Sequence, residues 1–202
     1  ASAALAPRVV RLALAANRDV LTMSTGGLLT STAWQRAARH SRGHVYIPSG
    51  ALGGIDGLKA IAAGTIRRIR LTTRKPPQAL ASAPFVRTHR LRLTRLRRPK
   101  VLFEGSPAQA VRAFPQNINV AATATLAASW WTRKPPSVTV RVVADPGIRV
   151  NRHELEVEGT AGRLVCTIES RPSAANPKTS QLAINSALAT LTQLFHPVRI
   201  GT

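Results

Sequence analysis

Apolar and basic residues alternate from Ile66 to Thr73 (Ile-Arg-Arg-Ile-Arg-Leu-Thr-Thr), the period of two that a strand shows when one face is buried and the other wet. Arg74-Lys75-Pro76-Pro77 closes that strand, because proline cannot donate to a ladder. Apolar runs at 101–104 and 138–144 and alternating ones at 154–158 and 163–168 predict four more strands. The last two are joined through Gly159-Thr160-Ala161-Gly162, which suggests a hairpin. Helices are expected at 2–16, at about 28–41, from the turn holding Asp56 to Gly64, at 106–114, from Asn119 to about 130, and from about 180 to 194. Ser106 and Thr179 stand where an N-cap hydroxyl would accept an orphan backbone N–H. Nearer the start, Arg18 to Met23 reads as a short buried strand running into Ser24-Thr25-Gly26-Gly27, and His44 to Pro48 as another, followed by the turn-rich Ser49–Gly54. The pattern predicts an α/β fold: a mixed β-sheet with helices packed mainly on one face, preceded by a strand and helices of another α/β unit. No fixed-period repeat occurs, so a solenoid is excluded.

The length of 202 residues supports a real core, since a chain of this size buries roughly 70% of its unfolded surface. Apolar residues make up 44% and aromatic ones only 4%, which suits aliphatic helices packed on a sheet. Charge changes the picture. Lys and Arg number 29 against 8 Asp and Glu, a net +21, and the first 100 residues hold 19 basic and 2 acidic groups. No acid lies between Asp56 and Glu104, and residues 87–100 read Arg-Thr-His-Arg-Leu-Arg-Leu-Thr-Arg-Leu-Arg-Arg-Pro-Lys, a basic insertion or exposed connector. Such a field attracts polyanions or acidic partners. Cys166 is the single cysteine, so an intrachain disulfide or a cysteine-rich metal site is excluded, no metal is expected, and a plain buried thiol is. No run of about 18 apolar residues occurs, so a membrane span is not supported. The start at Ala1 without methionine reads as a cut edge.

Eight segments stand in a telling order. They are Tyr46-Ile47-Pro48-Ser49-Gly50-Ala51-Leu52-Gly53-Gly54-Ile55-Asp56, Thr72-Thr73-Arg74-Lys75-Pro76-Pro77, Leu102-Phe103-Glu104-Gly105-Ser106 and Phe114-Pro115-Gln116-Asn117-Ile118-Asn119-Val120-Ala121-Ala122-Thr123. Ala144-Asp145-Pro146-Gly147, Asn151-Arg152-His153-Glu154, Glu156-Val157-Glu158-Gly159 and Asn176-Pro177-Lys178-Thr179-Ser180 complete the series. Together they resemble the L-aspartate dehydrogenase family, whose members pair an N-terminal Rossmann domain with a C-terminal mixed-sheet catalytic domain. The resemblance implies that residues 1–41 are the C-terminal remnant of a Rossmann-type domain and 42–202 the catalytic domain, with the basic segment 87–100 inside it.

The family's activity is oxidation of L-aspartate with NAD or NADP, through an imine, to oxaloacetate and ammonia. The resemblance makes His153 of the Asn-x-His-Glu motif the catalytic acid/base, a role imidazole suits because it titrates near neutrality. It makes Asn119 and Gly27 cofactor-contacting positions. Asn119 by itself reads rather as a helix cap, and Gly27 stands where the family's loop has alanine, a change that a main-chain contact survives. A substrate with two carboxylates needs cationic or amide donors, and Ser49, Arg74, Lys75 and Asn151 are the candidates from matched motifs. Read alone, Arg74 and Lys75 are as well explained as the solvated end of a strand. A homo-oligomer in the cytoplasm is expected.

One requirement is missing from these residues. The strand, Gly-x-Gly-x-x-Gly turn and helix N-terminus that receive a dinucleotide's pyrophosphate do not occur; Gly26-Gly27 and Gly53-Gly54 are too sparse. A truncated chain, a partner chain that completes it, and a non-catalytic descendant are the three explanations. The third leads to an alternative: a repurposed domain that binds RNA or an acidic protein through 87–100, as in an organellar ribonucleoprotein assembly, although that segment contains no aromatic side chain for base stacking.

Overall fold

The structure, a computed structural model, describes residues 2–115, 119–130, 132, 135–176 and 179–201. In chain order it contains α1 (Ala6–Ala15), β1 (Val20–Leu21), α2 (Thr25–Leu28), α3 (Ala33–His40), β2 (Val45–Tyr46), α4 (Ile55–Ala62) and β3 (Ile66–Lys75). Then come α5 (Pro77–Leu80), α6 (Pro84–Thr88), β4 (Lys100–Gly105), α7 (Pro107–Ala113), α8 (Asn119–Ser129), β5 (Val138–Ala144), β6 (Asn151–Gly159), β7 (Gly162–Ser170) and α9 (Gln181–Phe195). Five strands form one mixed sheet in the order β4-β5-β3-β6-β7. The β3–β5 pair is parallel and the other pairs are antiparallel.

Alternation decides which side of that sheet is dry. Ile69 and Leu71 on β3, Val140 and Val142 on β5, and Leu155 and Val157 on β6 are fully buried and face one way, toward the helices. The other face carries Arg68 on Glu158 at 2.6 Å, Arg70 near Glu156 at 3.8 Å and Arg141 on Glu104 at 2.8 Å. Exposed pairs of this kind contribute about 0–1 kcal/mol each. Their consequence is instead one of charge: Arg68, Arg70, Arg74, Arg141, Arg152 and Arg163 of the sheet all lie beside acids of the second half. The expected sheet with helices on one face is therefore what the chain builds.

The basic segment is exposed at its arginines but anchored by its apolar residues. Val86 and Leu93 are buried, Leu91 and Leu96 pack on the core, and His89 stacks on Phe85 at 4.0 Å. Phe85, Phe103 and Phe114 form a cluster with ring centroids 5.4–5.9 Å apart. Phe114 is fully buried there, so Phe114→Ala is expected to cost about 3–5 kcal/mol, read as a lowered denaturant midpoint at unchanged slope.

Several boundaries differ from the sequence reading. The helix expected over 28–41 is two helices, because the run Thr30-Ser31-Thr32 breaks it: the Thr30 hydroxyl donates to the Gly27 carbonyl at 2.7 Å and the Ser31 hydroxyl accepts from the Ala33 N–H at 3.3 Å. The indole N–H of Trp34 then donates to the Leu28 carbonyl at 3.0 Å, turning α3 back over α2. The first strand shrinks to Val20–Leu21, which pairs in parallel only with Val45–Tyr46. β3 runs on through Lys75, so Lys75 is not a solvated terminus; it is 8% exposed. Ser180, not Thr179, caps α9, accepting from the Ala183 N–H at 3.4 Å. Cys166 is half-buried rather than buried, because β7 is an edge strand with cover on one side alone. The Ser106 cap stands as expected, with a full capping box through Gln109.

The first elements have their own small core, Val10, Leu14, Leu28 and Trp34, to which α8 contributes Leu126. α8 also buries Ala121 and Ala124 in the main core. One helix thus holds the two-stranded sheet against the five-stranded one, and the ends of both sheets open on the same cleft.

Candidate active site

The cleft, of about 280 Å³, lies where the C-terminal ends of β1, β2 and β3 meet the N-terminal turn of α8 and the start of α9. Carboxyl ends of parallel strands are the usual place for a ligand in α/β folds, because the loops that leave them are free to vary. β6 enters the cleft from the opposite direction, carrying Asn151 and His153 on one side of the strand.

Register brings the chemistry together. Thr73 and His153 are direct cross-strand partners on β3 and β6, and Thr73 Oγ1 lies 3.1 Å from His153 Nδ1. Lys75, two residues further along β3, points to the same side and lines the same cleft. Lys75 and His153 are both buried, at 8% and 3% exposure. Burial lowers the Lys75 pKa to about 8. Burial, and next the positive charge of Lys75, push His153 down to about 3. At neutral pH the imidazole is accordingly neutral, and a neutral ring exerts no charge back on Lys75.

Asn119 opens α8 but does not cap it with its side chain. Its Oδ1 accepts the Gly26 N–H at 3.1 Å, and its carbonyl accepts the Thr25 hydroxyl at 2.9 Å. Thr123, one turn on, donates to Thr25 Oγ1 at 3.2 Å. These bonds tie the loop after β1 to α8 and set Met23, Ser24 and Thr25 into the cleft wall. Gly27 sits just behind that wall. A Cβ on it would lie 1.8 Å from the Ala3 carbonyl oxygen, a backbone contact that cannot give way, so only glycine fits this turn.

Of the residues singled out from sequence, His153, Asn119, Ser49, Lys75 and Asn151 all line the cleft. Arg74 does not: it projects to the wet face of β3 and lies 3.8 Å from Asp145. Thr73, Thr25 and Thr123 were missed, although the alternation that buries Leu71 also places Thr73 and Lys75 inward. Gln116–Ile118 and Pro177–Lys178 of the quoted motifs lie outside the described residues. Lys75 and His153 are the ionisable side chains among the described residues that line the cleft, and no carboxylate joins them. No cluster of three metal-ligating side chains occurs among the described residues either. The arrangement can hold an anion at Lys75 and the positive end of α8, with a neutral imidazole alongside to exchange hydrogen bonds.

Comparison with known proteins bears on what anion. Residues 56–194 match the family model described as aspartate dehydrogenase, C-terminal. An L-aspartate dehydrogenase of Methanosarcina barkeri is 45% identical over 197 residues, 96% of this chain and 71% of the relative. That of Methanocella arvoryzae is 39% identical over 206 residues, covering all of this chain and 75% of the relative. L-aspartate dehydrogenase 3 of Bordetella bronchiseptica is 38% identical over 202 residues, 100% of this chain and 72% of the relative. In fold, the crystal structure of aspartate dehydrogenase from Thermotoga maritima superposes with a TM-score of 0.78 at 28% identity, over all of this chain and 76% of that one.

Proposed function

The chain belongs to the aspartate dehydrogenase family, and from that membership we propose that it supplies the catalytic cleft for oxidation of L-aspartate, with NAD or NADP, to iminoaspartate and on to oxaloacetate and ammonia. The observation that carries the reading is the convergence of Lys75, His153, Asn151 and Asn119 on one cleft whose described lining has no acid. A dicarboxylate is favoured there and a cation is not.

Each residue has a distinct task. Lys75 is the charge partner of a substrate carboxylate, and Asn151 and Ser49 donate to carboxylate oxygens. His153 is the acid–base group beside the reacting carbon, where water adds to the imine and protons must move. Entry of a dianion offsets the Lys75 charge and raises the proton affinity of the imidazole toward the neutral range. Residues 1–41 are read as the closing portion of a Rossmann-type unit and 42–202 as the catalytic domain, the separate small core around Trp34 supporting the first assignment.

The residues present fit the nicotinamide end of a dinucleotide. Asn119 spends its carboxamide oxygen on Gly26, which leaves its NH2 as the group to meet a nicotinamide amide; the space at Gly27 is taken by the Ala3 backbone, so any contact from Gly27 is through its main chain. The chemistry a bound dinucleotide supplies is acceptance of the hydride from the substrate Cα. No Gly-x-Gly-x-x-Gly turn for its pyrophosphate occurs in the sequence, so these residues would supply the nicotinamide contacts alone. The arginines of 87–100 line no part of the cleft, and the relatives above are dehydrogenases by name, so nothing favours binding of RNA or an acidic protein through that segment.

The test is dinucleotide reduction dependent on L-aspartate by the chain supplied with a nucleotide-binding half that bears the glycine turn. No turnover in the completed protein overturns the reading. A self-associated protein is also proposed: Leu188, Leu191 and Phe195 form an exposed apolar row on α9, with Phe195 88% exposed. Sedimentation is expected to give a species above the 21.6 kDa of one chain, and Leu191→Asp to shift it toward the monomer.

A further inference from the structure

The hydroxyl of Thr73 and Nδ1 of His153, 3.1 Å apart, are enclosed in the interior: Thr73 is 0% exposed and His153 is 3%. A buried hydroxyl needs an acceptor for its hydrogen, and Nδ1 is the acceptor the structure offers Thr73. Were the ring proton on Nδ1, the threonine hydrogen would be stranded away from both water and acceptor. We propose that Thr73 is a positioning residue that fixes His153 in the tautomer with its proton on Nε2, so that the ring meets the substrate as a hydrogen-bond donor.

The surroundings agree with a neutral donor. Lys75 is the other ionisable group among the described residues that line the cleft; α8 contributes Asn119 and Thr123 to that lining, the loop after β2 Ser49, and the start of α9 Ser180. No carboxylate among the described lining residues is there to favour an imidazolium, and the Lys75 charge disfavours one. A neutral imidazole N–H can polarise a C=N or C=O bond without carrying a charge into a site that already holds an ammonium. Sheet register makes the tautomer permanent: Thr73 is held opposite His153 by the ladder on both sides, at Leu71↔Leu155 and Arg74↔Arg152. The catalytic consequence rests on the dehydrogenase reading above; the tautomer does not.

The experiment is a long-range ¹H–¹⁵N correlation spectrum of the full chain with labelled histidine rings, His153 being assigned from the signal lost in His153→Asn. The expected pattern is a pyrrole-type Nε2 and a hydrogen-bonded pyridine-type Nδ1. Thr73→Ser should keep that pattern, and Thr73→Val should move Nδ1 to the position of a pyridine nitrogen without a hydrogen bond. A ring protonated at Nδ1 in the unsubstituted protein overturns the proposal, and so does an Nδ1 signal indifferent to valine. If the valine variant does not fold, the unsubstituted spectrum alone decides the tautomer. In the aspartate assay, Thr73→Val should lower kcat about tenfold, the worth of one hydrogen bond, with KM nearly unchanged and serine restoring the rate. The expected spectrum together with no turnover in the unsubstituted protein supplied with its nucleotide-binding half would fault the dehydrogenase reading and leave the tautomer standing.

Discussion

His153→Ala is expected to lower aspartate-dependent dinucleotide reduction by about 10²–10⁴-fold, the range for loss of a positioned acid–base group, while the protein stays folded. The fall should lie in kcat more than in KM, because the imidazole is assigned to the reacting carbon and Lys75 to the carboxylate. His153 sits between Thr73 on β3 and Ile168 on β7, its register partners, so the alanine variant leaves the backbone ladders intact and opens a polar space that water can enter. Circular dichroism matched to the unsubstituted protein separates loss of chemistry from loss of fold. A variant with more than half of the original kcat would remove His153 from the mechanism.

Lys75 carries the second large effect. Lys75→Met keeps the length of the side chain and removes its charge, and a charge-assisted hydrogen bond of about 1.5–3 kcal/mol corresponds to a KM for aspartate raised by about 10–100-fold. The same lysine sets a pH limit. Its folded pKa is lowered by burial to about 8 from 10.5, so in the free protein the ammonium is lost as pH rises through about 8. Since kcat/KM reports the free enzyme, it should decline above that pH, and the decline should vanish in Lys75→Met. Stability moves the other way. Between about pH 8 and 10.5 the unfolded chain holds the lysine proton and the folded one does not, so folding stability from this group rises with pH across that window. Denaturant unfolding of both forms at several pH values checks the sign: Lys75→Met should be stabilised relative to the unsubstituted protein near neutrality, and the difference should shrink toward pH 10.5.

The two effects follow from one feature, a lysine and a histidine buried side by side in a cleft whose described lining includes no carboxylate. Such a pair is unfavourable in the empty protein, since burial works against the charge on Lys75 and that charge works against protonation of His153. A dianionic ligand relieves both at once. Perturbed groups of this kind at the end of β3 are a reason to place the ligand there.

What the sequence determined by itself was local. Alternation over 66–73 settled which side chains of β3 would be wet, Gly159 to Gly162 settled the hairpin, and Ser106 settled a helix start, because each signal acts within a few residues through pleat, turn or cap geometry. The matched motifs also pointed to His153, Asn119 and Lys75 before any fold was in view. They could not say that Arg74 and Lys75, neighbours in sequence, would part to opposite faces at the end of a strand that continues two residues further than its alternation shows. Nor could they place Thr73 opposite His153, 80 residues away, or give the Asn119 carboxamide to Gly26, 93 residues away. Those pairings are fixed by sheet register and by the packing of α8 between two cores. Register and packing are decided by the burial of many side chains together, and so only the tertiary structure contains them.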